Sequence, residues 1–360
     1  MFYIIYYLQL FMLSPSHSHP TSLFSRLGCS ILIMCLILFC VAAISLLLGR
    51  YPISVLHFME ALADKIGVSH FLPISQEHLI NAVIWHGRFP RILTAIIIGA
   101  GLALAGTAFQ AVFRNPLVSP ALLGVLNGCA FGAALGLILN GGHFLVPLLA
   151  CLFGCIAVLV GVLIAKRIGG DSILLLILGG IISNAFFAGL LSLVKYIADP
   201  EDQLPSIVYW LLGSLSSISL PLVAILCPIL FLAMFILLCL GRQLDAMSLG
   251  DEEALSLGIP VVKMRYFIIL LATIISAITV CIAGVVGWVG LLIPHLTRLI
   301  WGASHRFVLP LSAILGAIFL ILSDDLARLL SVSEIPLGVV TELLGAMLFF
   351  FLLLRNWRGV

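Results

Sequence analysis

The stretch Arg88-Phe-Pro-Arg-Ile-Leu-Thr-Ala-Ile-Ile-Ile-Gly-Ala-Gly-Leu-Ala-Leu-Ala-Gly106 decides the fold. Two arginines flank Pro90, and no further charge follows until Arg114. Proline suits the first turn of a helix, where its missing N–H costs nothing. An apolar run of about 20 residues crosses a hydrocarbon core about 30 Å thick. The stretch therefore reads as a membrane-spanning helix with a cationic entrance.

The same reading extends along the chain. Of 360 residues, 63% are apolar and only 9% are charged, against roughly half and a quarter in a soluble domain. This excludes a soluble enzyme and predicts an all-α polytopic membrane protein. Apolar runs bounded by charges or Pro/Gly turns give ten spans: about 28–48, 90–113, 118–139, 145–165, 172–194, 219–239, 265–284, 287–301, 307–327 and 337–354. The eighth is short.

The formal charge of +2 is the difference between 17 basic and 15 acidic residues with no basic block, which argues against nucleic-acid binding. Both termini are expected inside. The inner loops and ends then carry Arg26, Arg114, Lys166, Arg167, Arg242, Lys263, Arg265, Arg298, Arg306, Arg355 and Arg358, eleven of the 17 basic residues, as the positive-inside rule requires. Residues 1–26 read as an N-terminal extension, poorly ordered or interfacial, with no basic n-region or cleavage motif. Residues 27–360 read as a single transmembrane domain. The polar stretch 49–87 is expected to form a surface helix.

A weak internal repeat aligns 88–106 with 265–284, and Phe144-Leu-Val-Pro-Leu with Phe307-Val-Leu-Pro-Leu, each followed by Gly154 or Gly316. The copies are spans 2–5 and 7–10. Five crossings separate them, so they are expected in opposite orientations, as in transporter inverted repeats. In span 3, Gly124, Gly128, Gly132 and Gly136 form a stripe suited to close helix packing within the chain, or alternatively to dimerisation.

Chemistry-bearing residues are sparse. The nine cysteines lie in apolar runs and read as small core hydrophobes, and no histidine pair has metal-ligand spacing. No phosphate-binding Gly-x-x-x-x-Gly-Lys-Ser/Thr loop is present, so any ATP must be used by a partner. Polar residues expected inside spans are Gln110, Ser183, Asn184 and Glu342. Asn184 and Glu342 are candidates for a translocation path, because an intramembrane polar or ionisable group is costly and by default functional.

Three stretches bear on function. Arg88 and Arg91, with Arg328 at the outer end of span 9, are expected to make a cationic patch suited to carboxylates. The inner stretch Met247-Ser-Leu-Gly-Asp-Glu-Glu-Ala-Leu-Ser-Leu-Gly258 reads as a short helix capped by Gly258. It presents Leu249, Leu255 and Leu257 beside Asp251, Glu252 and Glu253, a pattern that fits docking into a groove on a cytoplasmic partner. The third comprises Gly287 to Arg298, then Ser323-Asp-Asp-Leu-Ala-Arg and Glu334-Ile-Pro336.

From about residue 30 onward, the chain resembles the permease subunits of type II ABC importers for iron-siderophore complexes, haem and cobalamin. The resemblance rests on Arg88-Phe-Pro-Arg91, Phe113-Arg-Asn-Pro-Leu-Val-Ser-Pro-Ala-Leu-Leu-Gly124, Ala198-Asp-Pro200, the Ser248-Leu-Gly250 to Leu257-Gly258 loop, Gly290-Leu-Leu-Ile-Pro-His295 and Glu334-Ile-Pro336. It implies ten helices, a second permease copy or homologue, two cytoplasmic ATP-binding subunits and an outer substrate-binding protein in a bacterial inner membrane. The chain itself would hold no cofactor; ATP and Mg belong to the partner ATPase.

The resemblance also implies roles. Arg88, Arg91 and Arg328 match arginines that receive acids of the binding protein. Ser248, Leu249, Gly250, Asp251, Glu252, Glu253, Ala254, Leu257 and Gly258 match the segment that sits on the ATPase. Asp325 is a departure, a second acid expected to weaken or redirect the arginine patch. Ferric siderophore is the first expectation for cargo, with haem, cobalamin and molybdate as alternatives. Of the rival classes, an ion-coupled secondary transporter lacks a charge relay beyond Glu342. An intramembrane enzyme is excluded because His295 and Asp324 are expected at opposite membrane surfaces.

Overall fold

The computed structural model describes residues 20–49, 51, 53–66, 79–170, 172–216, 219–331 and 333–357. Among these, every regular element is helical. A π-helix over Ala82–Arg88 leads into the third α-helix, and in chain order the α-helices are α1 (Pro20–Leu47), α2 (Val55–Ile66), α3 (Phe89–Val112), α4 (Val125–Ile138), α5 (Gly142–Ile168), α6 (Ile173–Ile197) and α7 (Gln203–Leu211). They continue with α8 (Leu220–Cys239), α9 (Gly241–Leu249), α10 (Asp251–Ser256), α11 (Val261–Ala283), α12 (Val289–Trp301), α13 (His305–Leu329) and α14 (Leu337–Trp357). The ten expected spans are α1, α3, α4, α5, α6, α8 and α11 to α14. The expected surface helix is α2, whose Ala61 packs on Ile53, Ile80 and Ile84. Residues 1–19 of the expected extension lie outside the described residues.

Among the described residues, eight helices are long and apolar enough to cross a membrane. The other two, α4 and α12, have 14 and 13 residues, about 20 Å at 1.5 Å per residue. Span 3 starts later than the expected residue 118. Pro120 opens a 3-10 turn over Pro120–Leu123, Gly124 closes it at φ +83°, and only then does α4 begin. Helix α12 starts after Trp288, held at φ +67°, a costly backbone for a side chain of that size.

Helix α3 is the hub, and three of its glycines meet three different helices. At Gly99, an added Cβ would collide with the Gly316 backbone of α13; at Gly106, with the Gly290 backbone of α12. At Gly101 it would lie 3.1 Å from Thr279 Cγ2 and 3.2 Å from Ile275 Cγ2 of α11. Directly after Gly106, the hydroxyls of Thr107 and Ser312 join α3 to α13 at 3.1 Å. Close backbone approach of this kind drives helix association where lipid supplies no hydrophobic contrast.

The packing repeats as the sequence alignment predicts. Helix α3 packs on α12 and α13, and α11 packs on the matching pair α4 and α5. The contacts α4·α5, α5·α6 and α4·α6 recur as α12·α13, α13·α14 and α12·α14, and α3 packs on α11. Gly316 faces Gly99, while at its counterpart Gly154 an added Cβ would lie 3.4 Å from Ala277 of α11. The copies are inverted: the end of α3, through Arg114, meets the start of α11 at a shared carboxylate, Asp251. The span 3 stripe is used within the chain, since Gly128, Gly132 and Gly136 all lie against α5.

Gly106→Ala should lower stability by about 1–3 kcal/mol, the cost of overpacking a filled contact. The thermal midpoint of the purified protein in detergent checks this, with Gly189→Ala, where a Cβ meets nothing within 4 Å, as the neutral comparison.

Candidate functional site

The charged side chains gather at the two ends of the α3–α11–α13 core. At the outer end, Arg88, Arg91 and Arg328 come together around one cavity of about 380 Å³, which Glu334 and His86 also line. Two of the three, Arg91 and Arg328, are paired with acids. The guanidinium of Arg91 forks onto Asp324, with Nε 3.0 and 2.9 Å from Oδ1 and Oδ2 and Nη2 2.8 Å from Oδ1, and its Nη1 donates to Glu334 Oε2 at 3.0 Å. Arg328 Nε lies 3.2 Å from Asp324 Oδ2, and its Nη2 pairs with Asp325.

Asp325 redirects Arg328 towards α1. The Ser45 hydroxyl donates to Asp325 Oδ1 at 2.6 Å and accepts from Arg328 Nη2 at 3.0 Å. Arg88 has no acid in this network. It donates to the carbonyls of Leu46, Leu47 and Tyr51 at 2.7, 3.0 and 2.6 Å, closing the C-terminus of α1, whose last carbonyls have no partner within the helix. Arg88, Arg328, Asp324 and Asp325 are all buried. Two arginines, Arg91 and Arg328, thus share three acids, and Arg88 is spent on backbone carbonyls, in place of a free cationic patch. Asp325 and Asp324 sit three and four residues before Arg328, a helical ion-pair spacing legible in the sequence. The partnership of Asp324 with Arg91, from a helix over 200 residues away, has no local signal.

The inner end carries the stretch expected to meet a partner. It is two helices, where one was expected, because Gly250 at φ +153° breaks α9 from α10. After α10, Gly258 N–H donates to the Leu255 carbonyl and Ile259 N–H to that of Ala254, a Schellman motif with glycine at its left-handed position. Ala254 faces inward, fully buried. Ser248, Glu252, Glu253 and Gly258 are exposed, as are Leu249, Leu255 and Leu257 at 69%, 59% and 64%.

Asp251 fixes this exposed face to the core. It pairs with Arg114, just past α3, and with Arg265 Nη2 at 2.8 Å. Arg114 Nε also donates to the Met247 carbonyl at 3.1 Å. Arg114 sits in the left-handed region at φ +48°, a site that favours glycine; the charged contacts offset that cost. A second inner clamp, which the sequence reading missed, is Asp245. It accepts from Ser304 Oγ at 2.8 Å, from His305 N–H, and pairs with His305 Nδ1 at 3.0 Å, capping the first turn of α13 from α9. Burial alone would raise the Asp245 carboxyl, but these hydrogen bonds outweigh it and hold the group below its ordinary value.

The two candidate path residues stay apart. Asn184 Oδ1, on α6, accepts from Asn127 Nδ2 at 2.9 Å. Glu342 is exposed on α14, beside Gly287. Among the described residues, no hydrogen bond or ion pair joins them.

An inverted-repeat bundle with short helices at equivalent places, and charge confined to its ends, defines a multi-pass membrane permease. The FecCD transport family model matches residues 33–355, and the chain belongs to that family, a permease of the ABC importer class in the bacterial inner membrane. It is 40% identical over 324 residues to the molybdate import system permease protein MolB of Haemophilus influenzae, covering 90% of this chain and 95% of the relative. It is 36% identical over 288 residues to the hemin transport system permease protein HmuU of Yersinia pestis, covering 77% and 85%. An inward-facing structure of a metal-chelate type ABC transporter superposes with a TM-score of 0.80 at 38% identity, covering 90% of this chain and 98% of that one.

Two outcomes follow from the clusters. Arg328→Met leaves Asp325 without its cation and should destabilise the protein by about 3–5 kcal/mol, as breaking a buried pair does, read as a lower thermal midpoint in detergent. Because the Asp245 carboxyl is lowered in the folded state, its stabilisation is complete above the unfolded pKa and is lost as pH falls through the lower folded value. Asp245→Asn should therefore flatten the acid side of the stability profile while leaving the shape of its neutral part unchanged, measured as thermal midpoints across a pH series.

Proposed function

We propose that the chain is the translocating subunit of a binding-protein-dependent importer, working beside a second copy or homologue. ATP with its magnesium is bound and hydrolysed on two cytoplasmic partner subunits, and this chain carries no catalytic residue. The observation that carries the reading is the row of exposed leucines, Leu249, Leu255 and Leu257, on a short segment that Asp251 ties to Arg114 and Arg265. An apolar row held rigidly at a polar surface suits a groove on a partner. Ser248, Gly250, Glu252, Glu253, Ala254 and Gly258 shape and solvate it.

In this reading an outer binding protein docks at Arg88, Arg91 and Arg328, and the cargo passes between the two permeases along faces that include Asn184 and Glu342. ATP binding draws the partner pair together, the motion enters through 248–258, and the cavity opens to each side in turn. No bond in the cargo is broken. Affinity for the cargo belongs to the binding protein, so a largely apolar path passes a bulky ligand without retaining it.

For cargo we infer a metal chelate, a ferric siderophore first, supported by the likeness to a metal-chelate type transporter and to an iron chelatin permease of Helicobacter pylori at 36% identity. Molybdate is the second reading, favoured by the 40% identity to MolB. Uptake into proteoliposomes holding the permease, its ATPase and its binding protein, with labelled ferric siderophore, haem, cobalamin and molybdate compared, separates them. Uptake of one cargo that requires ATP is expected; uptake that instead follows an ion gradient would overturn the importer reading. Leu249→Asp with Leu257→Asp should release the ATPase from membranes while the permease remains inserted, scored by co-sedimentation.

A further inference from the structure

The two acids on Arg91 are held very differently. Asp324 is buried, receives three of the hydrogen bonds from Arg91, and is also held by Arg328. Glu334 receives one hydrogen bond, from Nη1, and its side chain is 33% exposed. Among the described residues, Arg91 is the one cation paired with it. Its backbone lies in the left-handed region at φ +39°, in the connection between α13 and α14. Both Glu334 and Arg91 line the outer cavity of about 380 Å³.

We propose that Glu334 occupies, in the free permease, the position on Arg91 that an acidic side chain of the docking protein takes, so that docking exchanges one carboxylate for another. This rests on the proposed docking of a binding protein at the outer arginines and names how one of them receives it. The chemistry favours exchange over addition. Asp324 takes the fork of Arg91, leaving Nη1 to the cavity-lining Glu334, and Arg–carboxylate pairing is directional. Addition of a fourth acid beside Asp324, Asp325 and Glu334 would place like charges together. Exchange leaves the number of acids on Arg91 and Arg328 unchanged at three, and the released Glu334 moves into water, where its charge costs little. The cavity gives the incoming side chain room, and the part-exposed acid leaves more readily than the buried one.

The test uses the complete permease–ATPase complex in lipid nanodiscs and the cognate binding protein, with Kd measured over a series of salt concentrations. Glu334→Gln removes the competing charge and should tighten docking by about two- to fivefold, the factor for one part-exposed ion pair, and steepen its salt dependence because docking then forms a net new pair. Glu334→Ala removes the same carboxylate and serves where the glutamine variant fails to assemble. An unchanged or weaker Kd with an unchanged salt slope, in an assembled variant, would overturn the exchange. Arg91→Lys, which keeps a cation on Asp324 but loses the fork, separates this from the docking reading itself. Wild-type docking by Arg91→Lys counts against docking at Arg91 and so against the exchange too; weakened docking there with no effect of Glu334→Gln rejects the exchange alone.

Discussion

Backbone-to-backbone contact along α3 is the constraint on which the rest of the molecule depends. In a bilayer, lipid tails are as apolar as leucine, so helices associate through close packing and internal polar contacts. Gly99 and Gly106 remove the side chains that would hold α13 and α12 away, and Gly101 lets α11 close on the remaining face. The result is a tight inner group. In α3, α11 and α13, 83%, 72% and 72% of the spanning residues are buried within the chain, against 33% or less in the other long spans. The peripheral helices α5, α6, α8 and α14 keep large apolar faces for lipid or for another subunit.

A tight apolar core leaves charge nowhere to go but its ends, because an ion held at mid-membrane is expensive. Both ends solve the problem alike. At the outer end one carboxylate, Asp324, takes Arg91 and Arg328; at the inner end one carboxylate, Asp251, takes Arg114 and Arg265. The arginines that the repeat aligns, Arg88 and Arg265, each hold a flanking segment, one through the carbonyls ending α1 and the other through the start of α10. Internal symmetry thus extends from helix packing to the way the ends are fastened.

The hydropathy pattern made the ten spans legible, since membrane thickness sets the length of every apolar run. It could not reveal that α4 starts only at Val125, because the turn at Pro120 and Gly124 is itself apolar and is invisible to hydropathy. The 247–258 stretch was legible in its leucines and its Gly258 cap, but the break at Gly250 was not, as glycine there also fits a continuous helix. The outer arginines were legible as a group and misleading as a free charge. Their counter-ions come from α13 and the α13–α14 connection, and a pairing across more than 200 residues leaves no mark on local sequence. Asp245 was missed for the same reason: its partners Ser304 and His305 lie 59 and 60 residues away.

Helix α13 touches both charged ends. Its first turn is capped by Asp245, on the helix that leads into Leu249. Its last two turns hold Asp324, Asp325 and Arg328, and midway Gly316 lies against Gly99 of α3. The helix is thus held at three points, at both ends and in its middle. If a partner grips the exposed leucines as proposed, its push reaches α13 through Asp245 and reaches α3 and α11 through Asp251, the same inner group by two routes. That group is the most buried part of the bundle, and the helices around it, α14 among them, leave more of their surface uncovered. The α13–α14 connection, where Glu334 stands, joins the clamped body to one of those helices, α14. It is the point at which an event at the outer surface and a movement of the bundle can act on each other.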